Sequence, residues 1–356
     1  MTLNDPPMHH RSLSGNSGTW FACRALDRRK TDTNGVTIDG MVGAVSTFAG
    51  LFRTGGSASD GSTMLDVARD VRENPQTVRL RDGRQLGYAD CGDPDGDPFV
   101  VFHGFPNSRP FGALFDAAGR ERGLRVIAPE RPGFGVSDPA PDRTVADWAD
   151  DVADLADALG LDSFSMLGIS GGGPYAAACA ARLPERIDHG GIACGLAPLE
   201  SVDLRDRLPF LIAKHAKPLA KLSLWSDGRT ARKNPDEYLE STVESTAAAD
   251  ADLWRGEVGR VLLESDYEAV SRHGYGPLAD ELAVFASDWG FDLDSIDVPV
   301  FFWYGQADRI VPLSMGLYYI ERIPTAEAHV YPDQGHLSIV YDNETEILDA
   351  LVDGQR

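Results

Sequence analysis

Beyond residue 76 the apolar positions gather into eight short runs that read as strands: Thr77–Leu80, Gln85–Ala89, Phe99–Phe102, Leu124–Ala128, Ser163–Ile169, Ile187–Ala193, Val298–Tyr304 and Ala328–Tyr331. From the third run on, helical stretches separate neighbouring strands, which calls for parallel pairing with crossover connections. The clearest helix begins at Thr144. Its residues Val145, Trp148, Val152, Leu155 and Leu159 step by three and four and form one buried stripe. Asp147, Asp150, Asp151, Asp154 and Asp157 fall on its solvent side, and Gly160 ends it. Asp93-Pro-Asp-Gly-Asp97 lacks the distal glutamate of a calcium loop and reads as a hairpin turn.

The pattern changes twice. Residues 199–290 have no place in a sheet and read as a helical segment interrupting it, so that the sheet-forming parts are 77–198 and 291–356. Four of the five lysines of the chain (Lys214, Lys217, Lys221 and Lys233) fall in this segment. A positive patch that draws acidic substrates is one reading; lysine stems lying over Leu219 and Leu222 on a solvated helix face is the favoured one. Trp225, Trp254, Trp289 and Phe210 suit the roof of an apolar pocket and suit ordinary packing equally. Residues 1–76 form an N-terminal extension whose first forty carry five basic and four acidic side chains, no apolar period, and much Ser, Gly, Thr and Asn. Disorder is expected there. Met41–Phe52 is too short to span a bilayer. Arg28-Arg29-Lys30 raises twin-arginine export, a minor reading beside a cytoplasmic one, since polar residues intervene and no clean cleavage site follows. Initiation at Met41 or Met64 is a competing explanation for the same stretch.

Candidate chemistry sits at the ends of the strand runs. Gly168-Ile169-Ser170-Gly171-Gly172 follows a strand and opens an Ala-rich helix, the setting in which a G-x-S-x-G serine becomes an exposed nucleophile. A serine hydroxyl needs a base to take its proton, and the base needs a third group to orient it. Asp308 follows the Val298–Tyr304 strand, and His336 follows the last. The order Ser170, Asp308, His336 is a nucleophile–acid–base order distinct from those of the chymotrypsin and subtilisin groups. The third strand ends in His103-Gly104-Phe105-Pro106, a turn that can offer the Phe105 amide beside that of Gly171 to an oxyanion. His103 reads as a loop-shaping residue and Asp138 as a brace of its own turn. Arg109 is a candidate contact for an anionic substrate group; a salt bridge beneath the loop is the competing and favoured reading.

With His103-Gly-Phe-Pro106, Arg131-Pro-Gly-Phe-Gly-Val-Ser-Asp138, Gly168-Ile-Ser-Gly-Gly172, Gly305-Gln-Ala-Asp308 and Gly335-His336 in this order, the chain resembles the α/β-hydrolase superfamily from about residue 77 to its end. The resemblance implies an α/β fold: an eight-stranded, mostly parallel sheet, helices on both faces, and a lid inserted after the sixth strand. It implies Ser170 as nucleophile, His336 as general base and Asp308 as its orienting carboxylate, with no cofactor. Carboxyl-ester hydrolysis of a small molecule is the broadest expectation. Proline iminopeptidase-like amide cleavage, carbon–carbon bond hydrolysis and cofactor-free haloperoxidase chemistry run on the same three residues, and a non-catalytic ligand receptor is the contrasting class.

Composition adds a setting. The chain has 55 acidic against 33 basic residues, a net charge of −22 and a pI near 4.6, with 5 lysines and 28 arginines. Such self-repulsion is relieved by salt, so a halophilic, acidic proteome is the expectation. Nucleic acid and anionic membrane surfaces are excluded as partners by the same charge. Cys23, Cys91, Cys179 and Cys194 show no metal spacing and read as free thiols. Oligomeric state leaves no trace in the sequence.

Overall fold

The computed structural model describes residues 62–352; the basic cluster at 28–30, Cys23 and the 41–52 run lie outside the described residues. Eight strands form one sheet: β1 (Gln76–Arg79), β2 (Gln85–Gly92), β3 (Asp97–Phe102), β4 (Leu124–Pro129), β5 (Phe164–Ile169), β6 (Ile187–Ala193), β7 (Val300–Gly305) and β8 (Ala326–Tyr331). Their spatial order is β1-β2-β4-β3-β5-β6-β7-β8, antiparallel across β1/β2 and β2/β4 and parallel from there on. All eight expected strands are present, with ends shifted by a few residues. The Asp93–Asp97 segment does turn, the Gly96 N–H donating to the Asp93 carbonyl at 3.0 Å. It is not a hairpin, however, because β4 lies between the two strands it joins.

Period-two alternation divides the sheet residues between two cores. Val100, Phe102 and Met166 face one way, against Trp148, Tyr175 and Tyr319. Phe99, Val101 and Leu167 face the other, against Ala68, Ala118 and Leu348. These partners come from helices α1 (Met64–Glu73), α2 (Asp116–Arg122), α3 (Trp148–Leu159) and α4 (Gly173–Arg182), and from two further ones near the C-terminus. Both faces are thus covered by helices.

Three expectations need correction here. The regular helix starts at Trp148, four residues later than the apolar stripe suggested, because the Asp147 carboxylate accepts from the Thr144 N–H and hydroxyl and folds residues 144–147 into a preceding turn. Asp151 is not on the solvent face of α3; it is buried and paired with Arg84 on β1's neighbouring turn. Helix α1 also lies inside the extension expected to be disordered. Met64, Leu65, Ala68 and Val71 give it an apolar stripe, Thr63 and Asp66 form a capping box, and its last carbonyls are taken by Arg109.

Between β6 and β7 the chain leaves the sheet for α5 (Leu204–His215), α6 (Lys217–Lys233), α7 (Pro235–Ser245), α8 (Ala251–Arg255), α9 (Glu257–Ala269) and α10 (Gly276–Phe285). This insertion is pinned to the sheet by buried polar contacts. Arg109 pairs with Glu130 of the core and Glu268 of α9, at 2.5 and 2.8 Å. Glu281 of α10 pairs with Arg131 and Arg143. Lys214 donates to the Ala286 carbonyl and Lys217 pairs with Asp280, while Leu219 and Leu222 stay 61% and 60% exposed. Those two lysines are therefore engaged with α10 rather than covering the leucines. After β7 come α11 (Leu313–Ile320), α12 (Ser338–Tyr341) and α13 (Glu344–Val352). Among the described residues no helix is long and apolar enough to cross a membrane.

Candidate active site

Parallel strands present their C-terminal ends on one edge of the sheet, and ligands of such sheets bind there. Ser170 follows β5, Asp308 follows β7, His336 follows β8, and the His103–Pro106 turn follows β3. Ser170 has φ of 55°, a left-handed conformation that a side-chain-bearing residue adopts only when its surroundings impose it. The glycines around it explain how. A Cβ on Gly172 would stand 2.1 Å from the Phe102 carbonyl oxygen, and one on Gly171 would stand 3.0 Å from the Phe105 nitrogen. The serine turn is therefore packed directly onto the end of β3, and the Gly171 and Phe105 backbones lie side by side.

His336 and Asp308 are joined. His336 Nδ1 and Asp308 Oδ2 are 2.8 Å apart, both residues buried. The other oxygen, Oδ1, accepts from the Ile310 and Val311 N–H groups at 2.7 and 2.9 Å, which fixes the carboxylate's rotation. Nδ1 then carries the hydrogen toward Asp308, leaving Nε2 as the basic nitrogen. Burial pulls the imidazole's pKa down, but the Asp308 carboxylate overrides it and holds the value well above that of an ordinary histidine. Ser170 and His336 line one cavity of about 120 Å³, with Phe105, Trp254, Leu262 and Val340 among its walls. A wider crevice of about 1090 Å³ touches Asp308 and Arg309 but neither the serine nor the histidine.

The remaining expected residues sort clearly. His103 is fully buried; its Nδ1 meets the Gly104 carbonyl at 2.9 Å and its Nε2 receives the Arg131 N–H at 3.5 Å. Burial, then the Arg131 charge, press its pKa well below the usual value, so it is a neutral brace of the turn. Arg131 donates to the His103 and Gly104 carbonyls from beneath. Asp138 accepts from the Gln85 N–H at 2.9 Å and ties its turn to β2. Arg109 is not a substrate contact. It is completely buried, with four of its five N–H donors taken by Glu130, Glu268 and the last carbonyls of α1, and it does not line the cavity that holds Ser170.

Sequence reasoning missed a group in the insertion. Asp250, fully buried ahead of α8, accepts from the backbone N–H groups of His336, Leu337 and Ser338 at 2.8, 3.1 and 2.9 Å, and from the Ser338 hydroxyl at 2.8 Å. It caps the segment that carries the histidine, 86 residues away in sequence. Nothing in Ala247-Ala-Ala-Asp250 announces this, since only the fold brings the two segments together. Cys194, in a left-handed conformation at the end of β6, donates its thiol to the His336 carbonyl at 3.4 Å. Its sulfur and the donor atoms of Asp308 and His336 lie within 4.8 Å of one another. Each is already engaged, and burial pushes the thiol's pKa up, away from the thiolate a metal would need.

The model of the alpha/beta hydrolase fold family matches residues 97–342, and the chain belongs to that family. Among curated proteins it is 28% identical over 242 residues to a non-heme chloroperoxidase of Streptomyces lividans, spanning 66% of this chain and 83% of that protein. It is 26% identical over 277 residues to 2-hydroxy-6-oxononadienedioate/2-hydroxy-6-oxononatrienedioate hydrolase 1 of Pseudomonas putida, spanning 74% of this chain and 91% of that one. Among solved structures, a thermophilic esterase from Thermogutta terrifontis superposes with a TM-score of 0.57 at 24% identity, covering 80% of this chain and all of the esterase; that likeness speaks to the fold. Family and relatives together support a hydrolase.

Proposed function

We propose that the protein is a serine hydrolase acting on a small, uncharged carboxyl ester or related acyl compound. The observation that carries this reading is the His336–Asp308 pair at 2.8 Å opening on the same cavity as a serine held at φ 55°. Ser170 Oγ attacks the carbonyl carbon while its proton passes to His336 Nε2. The negative charge on the carbonyl oxygen is met by the Gly171 and Phe105 amides, a contribution of about 2.7–4 kcal/mol per donor in such sites. Collapse of that intermediate breaks the bond to the alcohol, which leaves with the proton from His336. Water then adds to the acyl-serine by the same route, His336 taking its proton and returning it to Ser170 Oγ as the acid departs. The helical insertion covers this cavity as a lid.

Charge narrows the substrate. Among the described residues no lysine or arginine lines the cavity, and its walls are mostly apolar. A dicarboxylate, as in the name of the Pseudomonas putida relative, would enter with no lysine or arginine of the described residues to receive either end. A neutral ester meets no such cost. This favours ester over dianionic carbon–carbon substrates. A fluorophosphonate probe tests the reading: it should label the wild-type protein covalently and leave Ser170→Ala untouched. An unlabelled wild type across low and high salt overturns the proposal.

A further inference from the structure

One carboxyl stands in the wall of this mostly apolar cavity, alongside the hydroxyls of Tyr238, Thr242, Ser245 and Thr246, and takes no part in the steps above. Asp266 on α9 lines the Ser170 cavity and also a second chamber of about 90 Å³. Phe105, Pro106 and Tyr238 share that double position, so these four residues form the partition between the chambers. Tyr267 and Tyr275 wall the far side. An acyl chain on Ser170 that extends from the first chamber into the second passes Asp266.

The surroundings of the carboxyl are unusual. Asn107, on the same loop as Phe105, donates to Oδ1 at 2.6 Å. Among the described residues no cation pairs with Asp266 and no hydrogen bond beyond that of Asn107 reaches its carboxyl. If the residue served only to hold Asn107, a neutral acceptor would do so without burying an ionisable group. We propose that Asp266 is a specificity-determining residue, which selects acyl chains bearing an acceptor oxygen (a ketone or ether) a few atoms from the scissile carbonyl. This rests on the serine-hydrolase reading of Ser170 and concerns a different end of the substrate.

The protonation state fits the role. Burial drives the Asp266 pKa up to about 8, against the pull of the Asn107 hydrogen bond. At neutral pH the group is a neutral acid whose O–H donates to a ketone; above pH 8 it becomes a carboxylate that repels one. Facing it are Tyr238, Tyr267 and Tyr275, all pushed above the usual tyrosine value chiefly by burial, together with Asp227 in the far chamber and His336 in the near one. The titration of His336 acts on every substrate alike and cancels in a ratio between two of them.

The test compares p-nitrophenyl 5-oxohexanoate with its isostere p-nitrophenyl 5-methylhexanoate, together with fluorophosphonate labelling of each variant. Wild type should prefer the oxo ester in kcat/KM by about tenfold at pH 7, the worth of one buried hydrogen bond. That preference should decline as pH rises through 8. Asp266→Asn should keep the preference, since its amide donates, and lose the decline. Asp266→Leu should favour the methyl ester, and its covalent labelling at Ser170 shows that the fold and the nucleophile are intact, which separates selectivity from folding. Normal labelling with a ratio near one in wild type, or a ratio unchanged in Asp266→Leu, overturns the assignment of Asp266 alone. No labelling of wild type overturns the serine-hydrolase reading and this inference with it.

Discussion

Asp250 offers a direct test of how the insertion supports the chemistry. Its carboxylate satisfies three consecutive backbone N–H groups and one hydroxyl at the turn carrying His336, all of them buried. Gly335 packs against it so closely that a Cβ there would lie 2.4 Å from Oδ2. Replacement by alanine leaves those donors without partners in a space too tight to recruit water freely. A hydrogen bond to a charged group is worth about 1.5–3 kcal/mol, and such losses overlap within one cluster, so a total near 4 kcal/mol is expected. For a domain of this size that lowers Tm by about 8–16 °C. The same loss frees the histidine turn, and misplacement by about 1 Å can reduce turnover about a hundredfold. Asp250 does not line the cavity, so the loss should appear in kcat with KM nearly unchanged. Asp250→Asn keeps one acceptor oxygen, serves either the His336 N–H or the Leu337–Ser338 pair, and should fall between. Calorimetry and ester kinetics on the three proteins decide it. An alanine variant within 2 °C and threefold of wild type would show that the turn holds itself, and the reasoning would fail.

Two further outcomes follow from buried charge. Arg109→Met strands Glu130 and Glu268 in the interior, and breaking a buried pair costs about 3–5 kcal/mol, so Tm should fall steeply while the preference between neutral and anionic esters stays as in wild type; a changed charge preference would restore Arg109 as a substrate contact. Asp308→Asn removes the charge that raises His336 against burial, so turnover should drop about 10³–10⁴-fold and the residual activity should titrate at lower pH than wild type. Because the folded imidazole lies above its unfolded value, its stabilisation is complete below about pH 6.5 and disappears as pH rises through the folded value. The Tm gap between wild type and Asp308→Asn should therefore narrow with rising pH; a constant gap would refute the coupling.

The eight strands were legible because each leaves a local apolar run, and the serine turn because its glycines are forced by a contact that only a missing side chain permits. Chain order alone brought Asp308 and His336 together with Ser170, since parallel strands deliver their C-terminal loops to one edge. The start of α3 was misread because Asp147 and Thr144 bond locally, a competition that an apolar stripe does not register. Helix α1 was missed because a short amphipathic segment carries little signal by itself; its order comes from Arg109 and from α9, both distant in sequence. Asp250 and Asp266 were invisible for the same reason. Each owes its position to the packing of the insertion, and nothing within five residues of either distinguishes it from the acidic residues around it.

This bears on what the acidic composition means. Counting 55 acidic side chains suggests a charged shell, and many of those in the described residues are exposed. Yet the insertion places three acids in the interior, Glu268 and Glu281 on core arginines and Asp250 on backbone amides, and a half-buried fourth, Asp266, on an asparagine at the cavity wall. Three have partners that share or balance their charge, so they hold the insertion in one position over the serine. The fourth has a neutral partner only and a cavity on either side. Salt screens exposed charges and leaves buried pairs almost untouched. Raising salt should therefore change the solubility and stability contributed by the shell while leaving the 5-oxohexanoate preference at pH 7 intact, and a salt-dependent preference would place the selecting group on the surface instead.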